Sequence, residues 1–104
     1  MNGTSNAQER GYIYVEMVIR DRERFKEYTS LSAPAVRAAG GRYIVAGVTP
    51  EALEAEGGDR VVIVEFPTVA QARAFYHSTK YQAARQRRLG VADFRMLLLP
   101  GAPP

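Results

Sequence analysis

The stretch "DRVVIVEFPTVAQ", Asp59 to Gln71, holds a strand, its stop and the start of a helix. From Val61 to Phe66 every residue but Glu65 is β-branched or aromatic, the composition that suits a pleated, half-buried surface. Pro67 closes the run because it has no N–H to give a ladder. Thr68 to Gln71 then spells T-V-A-Q, a capping-box pattern in which Thr68 bonds a backbone amide and Gln71 reaches back. Val69, Ala72, Phe75 and Tyr76 continue at helical spacing, so a helix follows this strand directly.

Working outward, "GYIYVEMVI", Gly11 to Ile19, is a second clear strand. Its odd positions, Ile13, Val15, Met17 and Ile19, form a wholly apolar face. The other face carries Tyr12, Tyr14, Glu16 and Val18, which is too apolar for plain water. Asp21 offers an N-cap to a helix whose Phe25, Tyr28, Ser32 and Val36 recur near the helical period. Pro34 inside it predicts a kink, or a restart capped by Ser32. Gly40-Gly41 ends the segment, and "RYIVAGV" after it reads as a strand. The acidic loop "PEALEAEGGD" leads back to the opening stretch. Downstream, Ser78 caps a further helical piece bearing Tyr81, Ala84 and Arg88, Gly90 stops it, and "ADFRMLLLP" is the last strand.

The order is βαββαβ. It predicts an α+β, ferredoxin-like domain: a four-stranded antiparallel sheet with its helices on one face. The expected boundaries are a disordered leader over 1–10, a single domain over 11–99 and a flexible tail over 100–104. One sheet face is then uncovered, and either choice of face leaves it largely apolar, which predicts a homodimer through that face.

Composition narrows the function classes. A chain of 104 residues is one domain that buries about 60 to 65% of its unfolded surface. Hydrophobic residues at 46% and charged residues at 24% exclude wholesale disorder. The absence of cysteine removes disulfides, thiolate metal sites and a Cys nucleophile, and fits a reducing compartment. There is no long apolar run and no signal-like leader, so no membrane association is expected and the cytoplasm is the default; Asn2-Gly3-Thr4 is a chance match to a glycosylation pattern. The net charge of +3 is mostly scattered. Lys80, Arg85, Arg87 and Arg88 cluster but read as a solvated helix face, and no RNA-binding signature is present, so no nucleic-acid partner is expected. A single histidine makes a metal site improbable, and no Gly-rich loop joins a strand to a helix, so no cofactor is expected.

The chain resembles the small bacterial family known as domain of unknown function 1330 (DUF1330), within the dimeric α+β barrel superfamily. The resemblance extends over roughly Gly11 to Leu98. It rests on Gly11-Tyr12, Asp21 with Glu23 and Tyr28, Ala33-Pro34, Gly40-Gly41-Arg42, Leu53-Glu54, "RVVIVEFP" from Arg60 to Pro67, and Ala74-Phe75-Tyr76 with Ser78, Tyr81 and Gln82. It implies a sheet-to-sheet dimer and no particular reaction. The chain departs from the family pattern at Ala46-Gly47-Val48, where Arg-Gly-Gly is usual, at Ala55 in place of glycine, and at Arg22 in place of proline.

"FYHSTKYQ", Phe75 to Gln82, gathers the residue types of acid-base chemistry, and His77 is a weak catalytic candidate there. Its place at a helix C-terminus is better explained by the helix dipole, which favours an exposed imidazolium there. Ser78 reads as a cap, and Tyr76 and Tyr81 as apolar bodies with a hydroxyl at the edge. Glu16 and Glu65 are better placed, because a charge embedded in an apolar strand needs compensation. Arg42 and Arg60 are the expected ion-pair partners. The alternative is a cleft between helices and sheet in which Glu65, with a raised pKa, acts as base or ligand contact, and Tyr12, Tyr14, Glu16, Arg42 and Tyr76 complete the candidate binding set. Two functions remain open: a small-molecule-binding or accessory domain without catalysis, or a small cofactor-independent enzyme of monooxygenase or isomerase type acting on a small aromatic or lactone-like molecule.

Overall fold

The computed structural model describes residues 9–103. The elements are β1 (Gly11–Ile19), α1 (Arg22–Ala38), β2 (Arg42–Val48), β3 (Arg60–Phe66), α2 (Val69–His77), α3 (Thr79–Arg88) and β4 (Ala92–Pro100). The strands form one antiparallel sheet in the order β2-β3-β1-β4, the ferredoxin-like arrangement. No helix among the described residues is long and apolar enough to cross a membrane.

Local chemistry starts each helix. The Asp21 carboxylate accepts the Arg24 N–H at 3.0 Å, Thr68 Oγ1 accepts that of Gln71 at 3.0 Å, and Ser78 Oγ that of Tyr81 at 3.1 Å, each satisfying an orphan donor of a first turn. Gln71 does not complete the expected capping box, because its side-chain oxygen accepts from the Thr68 hydroxyl instead. Nor does Pro34 break α1, which runs unbroken from Arg22 to Ala38. Pro34 and Ser30 are both exposed, so the carbonyl that loses its helical donor can turn to water, while Ser32 is buried on the core stripe and caps nothing.

The core lies between the helices and one sheet face. Ile13, Val15, Met17 and Ile19 point into it with Val64 and Phe66, and meet Phe25, Val36, Phe75 and Tyr81 from the helices. Gly11 lets α2 approach: a Cβ there would lie 2.8 Å from the Thr68 carbonyl oxygen. The ladder reaches beyond the expected domain end, for Pro100 belongs to β4 and the Gly101 N–H donates to the Arg10 carbonyl at 2.8 Å. Of the leader expected to be disordered, residues 1–8 lie outside the described residues, and so does Pro104 of the tail.

Among the described residues no helix covers the other face of the sheet, and its residues line up in rows across the four strands. Val45, Ile63, Tyr14 and Leu97 stand opposite one another in the middle row. An ionic row flanks it on each side: Arg42, Glu65, Tyr12 and Leu99 on one, Val48, Val61, Glu16 and Arg95 on the other. In the middle row Leu97 is 41% exposed and Val45, Ile63 and Tyr14 are half-buried, and Val48 and Leu99 at the ends of the flanking rows are 51% and 43% exposed, so the face is open to solvent in the single chain. β2, at the sheet edge, carries two bulges, one between Tyr43 and Val45 and one between Ala46 and Val48.

Candidate functional site

The residues singled out in the sequence divide between opposite sides of the molecule. Tyr12, Tyr14, Glu16, Arg42 and Glu65 share the open sheet face; Tyr76 and His77 lie at the end of α2. On the open face Glu65 gathers three partners. Arg42 Nε donates to Oε1 at 2.8 Å, the Tyr12 hydroxyl donates to Oε2 at 2.9 Å, and Arg10, which sequence reasoning passed over, stands 3.7 Å away. The Arg42 guanidinium first, then the Tyr12 hydrogen bond, hold the Glu65 carboxyl below its ordinary 4.5. The raised pKa expected of a base is therefore overturned at Glu65. Tyr12 shifts the other way, because its hydroxyl is committed to the carboxylate. Tyr14 is also raised, mainly by desolvation and then by Glu16.

The cation nearest Glu16 is Arg95, at 4.0 Å, not the expected Arg42 or Arg60. Register is the reason. Glu16 faces Arg95 across the β1–β4 ladder, whereas Arg60 stands opposite Met17 and so belongs to the helix-covered face. A carboxyl whose folded pKa is depressed stabilises the fold above its unfolded value, and that contribution is lost as pH falls through the folded value. In thermal unfolding followed from neutral pH downward, Glu65→Gln should melt below the parent at neutral pH, and the gap should close as the medium drops below about pH 4.

Among the described residues no carboxylate enters the space between helices and sheet, yet a cleft of about 270 Å³ is there. It runs between α1 and the sheet. Its walls are apolar, built by Val15, Met17, Phe25, Val62, Val64 and Phe94 among others. Its polar groups are the hydroxyls of Tyr28, Tyr81, Ser32, Thr29 and Tyr43, and its one charged lining residue is Arg60. Tyr28 and Tyr81 hydroxyls are 3.0 Å apart in the buried interior, and Arg88 Nη2 donates to the latter at 3.4 Å. Burial pushes the Tyr28 hydroxyl far up, and the neighbouring Tyr81 adds to this, so Tyr28 stays a neutral phenol. Burial likewise raises Tyr43. An apolar cavity with a few convergent hydroxyls is suited to seat and orient a small molecule. No histidine, lysine or carboxylate lines it to move a proton.

Tyr28, Ser32 and Tyr81 were legible in the sequence only as members of helical stripes. Tyr76 is half-buried, edge-on to the exposed His77 with ring centroids 5.2 Å apart, and neither lines this cleft. Arg88, expected on a solvated helix face, is 7% exposed, with its guanidinium 4.0 Å from the Phe94 ring centroid. Among the described residues, no three of His, Asp and Glu come together as a metal site would need.

A family model described as a domain of unknown function (DUF1330) matches residues 10–102. Among proteins of curated function, none matches the sequence. Solved structures share the fold. A protein of unknown function from Rhodopseudomonas palustris superposes with a TM-score of 0.73 at 23% identity, over 93% of this chain and 85% of its own. SnoaB, a cofactor-independent oxygenase from Streptomyces nogalater, gives 0.64 at 7% identity, over 92% and 96%. A dimeric protein of unknown function and ferredoxin-like fold from Bacteroides fragilis gives 0.57 at 11%, over 88% and 96%. At these identities the likeness is one of fold.

Proposed function

Because the chain belongs to the DUF1330 family, which groups proteins by a domain of unknown function and not by a reaction, we propose its role from its own geometry: a homodimeric binding domain that holds one small, mostly apolar molecule in the cleft under α1. The observation that carries this reading is the cleft itself. Its volume of about 270 Å³ is close to the ~300 Å³ lower end of ligand pockets and well above the ~150 Å³ that admits benzene. The Tyr28–Tyr81 hydroxyl pair offers both a donor and an acceptor to an oxygen on the ligand. A monocyclic phenol or ketone combines that size with that polarity.

The sheet face completes the reading. A partly exposed apolar row between two ionic rows suits a second copy turned about a two-fold axis, apolar band on apolar band. The dimeric relative of the same fold supports this assembly. Catalysis is the weaker reading, since the likeness to an oxygenase is one of fold and no histidine, lysine or carboxylate of the described residues lines the cleft.

The test uses p-cresol as probe and the backbone and methyl resonances of the intact protein as readout. Saturable shifts are expected at Met17, Val62 and Val64 in the cleft wall. Ala46→Trp, at an exposed lining position, should weaken binding by about tenfold or more by filling the space, an effect of about 1.4 kcal/mol. Shifts confined to the open sheet face, or undiminished binding to the tryptophan variant, would refute the assignment.

A further inference from the structure

We propose that a second groove, between the α2–α3 joint and β4, is an anion site for a small organic dianion, a phosphate monoester or a dicarboxylate, held by Arg73, Arg85 and Arg88. The groove measures about 470 Å³, with these arginines and His77 on its polar side and Met96 and Leu98 on its apolar side. No carboxylate lines it. Among the described residues, none of the three arginines has an acidic partner within 4.0 Å.

Arg88 makes the case strongest. It is 7% exposed, and its Nε is buried without a hydrogen-bond partner; Arg85 Nε is in the same condition. The contacts of the Arg88 guanidinium, to the Tyr81 hydroxyl and the face of Phe94, hold it in place but leave its charge uncompensated. A buried cation without a counter-charge is costly, and Arg85, one helical turn away, adds like-charge repulsion. An anion in the groove relieves both. Three guanidiniums match two negative charges better than one, and their planar forks pair with phosphate or carboxylate through parallel hydrogen bonds. The apolar side accommodates the organic part of the ligand. Ile13, Phe94 and Met96 line both this groove and the cleft under α1, so they stand between the two sites.

Titrating the full chain at low salt with phenyl phosphate, with phthalate and with neutral benzyl alcohol, while following the arginine Nε–H resonances, tests the assignment. Saturable shifts of Arg85 and Arg88 are expected with at least one dianion and not with the alcohol; the two dianions separate a phosphate preference from a dicarboxylate one. Arg73→Gln and Arg85→Gln, neither in the buried core, should each weaken binding about tenfold, or about 1.4 kcal/mol. The site falls if neither dianion saturates, or if both variants bind as the parent does. It falls equally if dianions bind only after Glu51, Glu54 and Glu56 are replaced by Gln, for then the acidic β2–β3 connection of a second copy is the occupant.

Discussion

Leu97→Glu is expected to turn the proposed sheet-to-sheet dimer into a monomer that stays folded. Leu97 ends the apolar row of the open face and is 41% exposed in the single chain, so a carboxylate there remains in water when the chain is alone. Between two apolar rows the same carboxylate would be stripped of water with no cation opposite, at a cost of several kcal/mol. Even about 2.7 kcal/mol weakens association about 100-fold. Sedimentation velocity over a concentration series, with circular dichroism to confirm the fold, reads both halves of the prediction. Leu31→Glu, at a similarly exposed apolar position on α1, should leave the assembly as it was. A parent protein that sediments as a monomer at micromolar concentration would remove the dimer altogether.

The largest effect on stability is expected at Tyr81. Its ring is fully buried, with centroids 4.8 Å from Phe75, 5.5 Å from Tyr76 and 6.2 Å from Tyr28. Its hydroxyl meets Tyr28 at 3.0 Å, Arg88 at 3.4 Å and Met96 Sδ at 3.5 Å. Tyr81→Ala deletes the ring and leaves a cavity, a loss of about 3–5 kcal/mol, against a total of about 5–15 kcal/mol for a domain. Tyr81→Phe keeps the ring but takes a partner from two buried polar groups, for about 1–3 kcal/mol. Urea unfolding of the two variants separates packing from hydrogen bonding. A phenylalanine variant as stable as the parent would show that the hydroxyl network contributes nothing.

The parts of this fold that were legible in sequence are those governed by neighbours a few residues away. Asp21, Thr68 and Ser78 cap because the donors they satisfy lie within the next turn. The two faces of β1 separate because its period-two pattern is unbroken over nine residues. The Glu65–Arg42 pair was anticipated from strand starts, and Arg42 and Glu65 do stand opposite each other. Glu16 defeated the same logic, since its cation sits on the last strand and only the register of β4 on β1 brings it near. Arg88 was misread because a run of arginines on a polar helix resembles a wet surface; the Phe94 ring that receives its guanidinium lies in another element. The cleft between helices and sheet was an open alternative in the sequence, but its lining was not legible, for a different reason. A cavity is a mismatch between the volumes of distant side chains, and Tyr28 and Ser32 look alike on a helical stripe whether they face packed atoms or empty space.

The bulges of β2 bear on what this chain avoids. An outer strand with regular, unpaired N–H and C=O groups is a template onto which any extended peptide can add, and a flat apolar one invites fibres. Two irregularities within seven residues, with Gly47 at φ 71°, break that template on one edge. In the proposed dimer this leaves the open face for self-association, where a two-fold pairing would close on itself at two copies instead of growing along the strands.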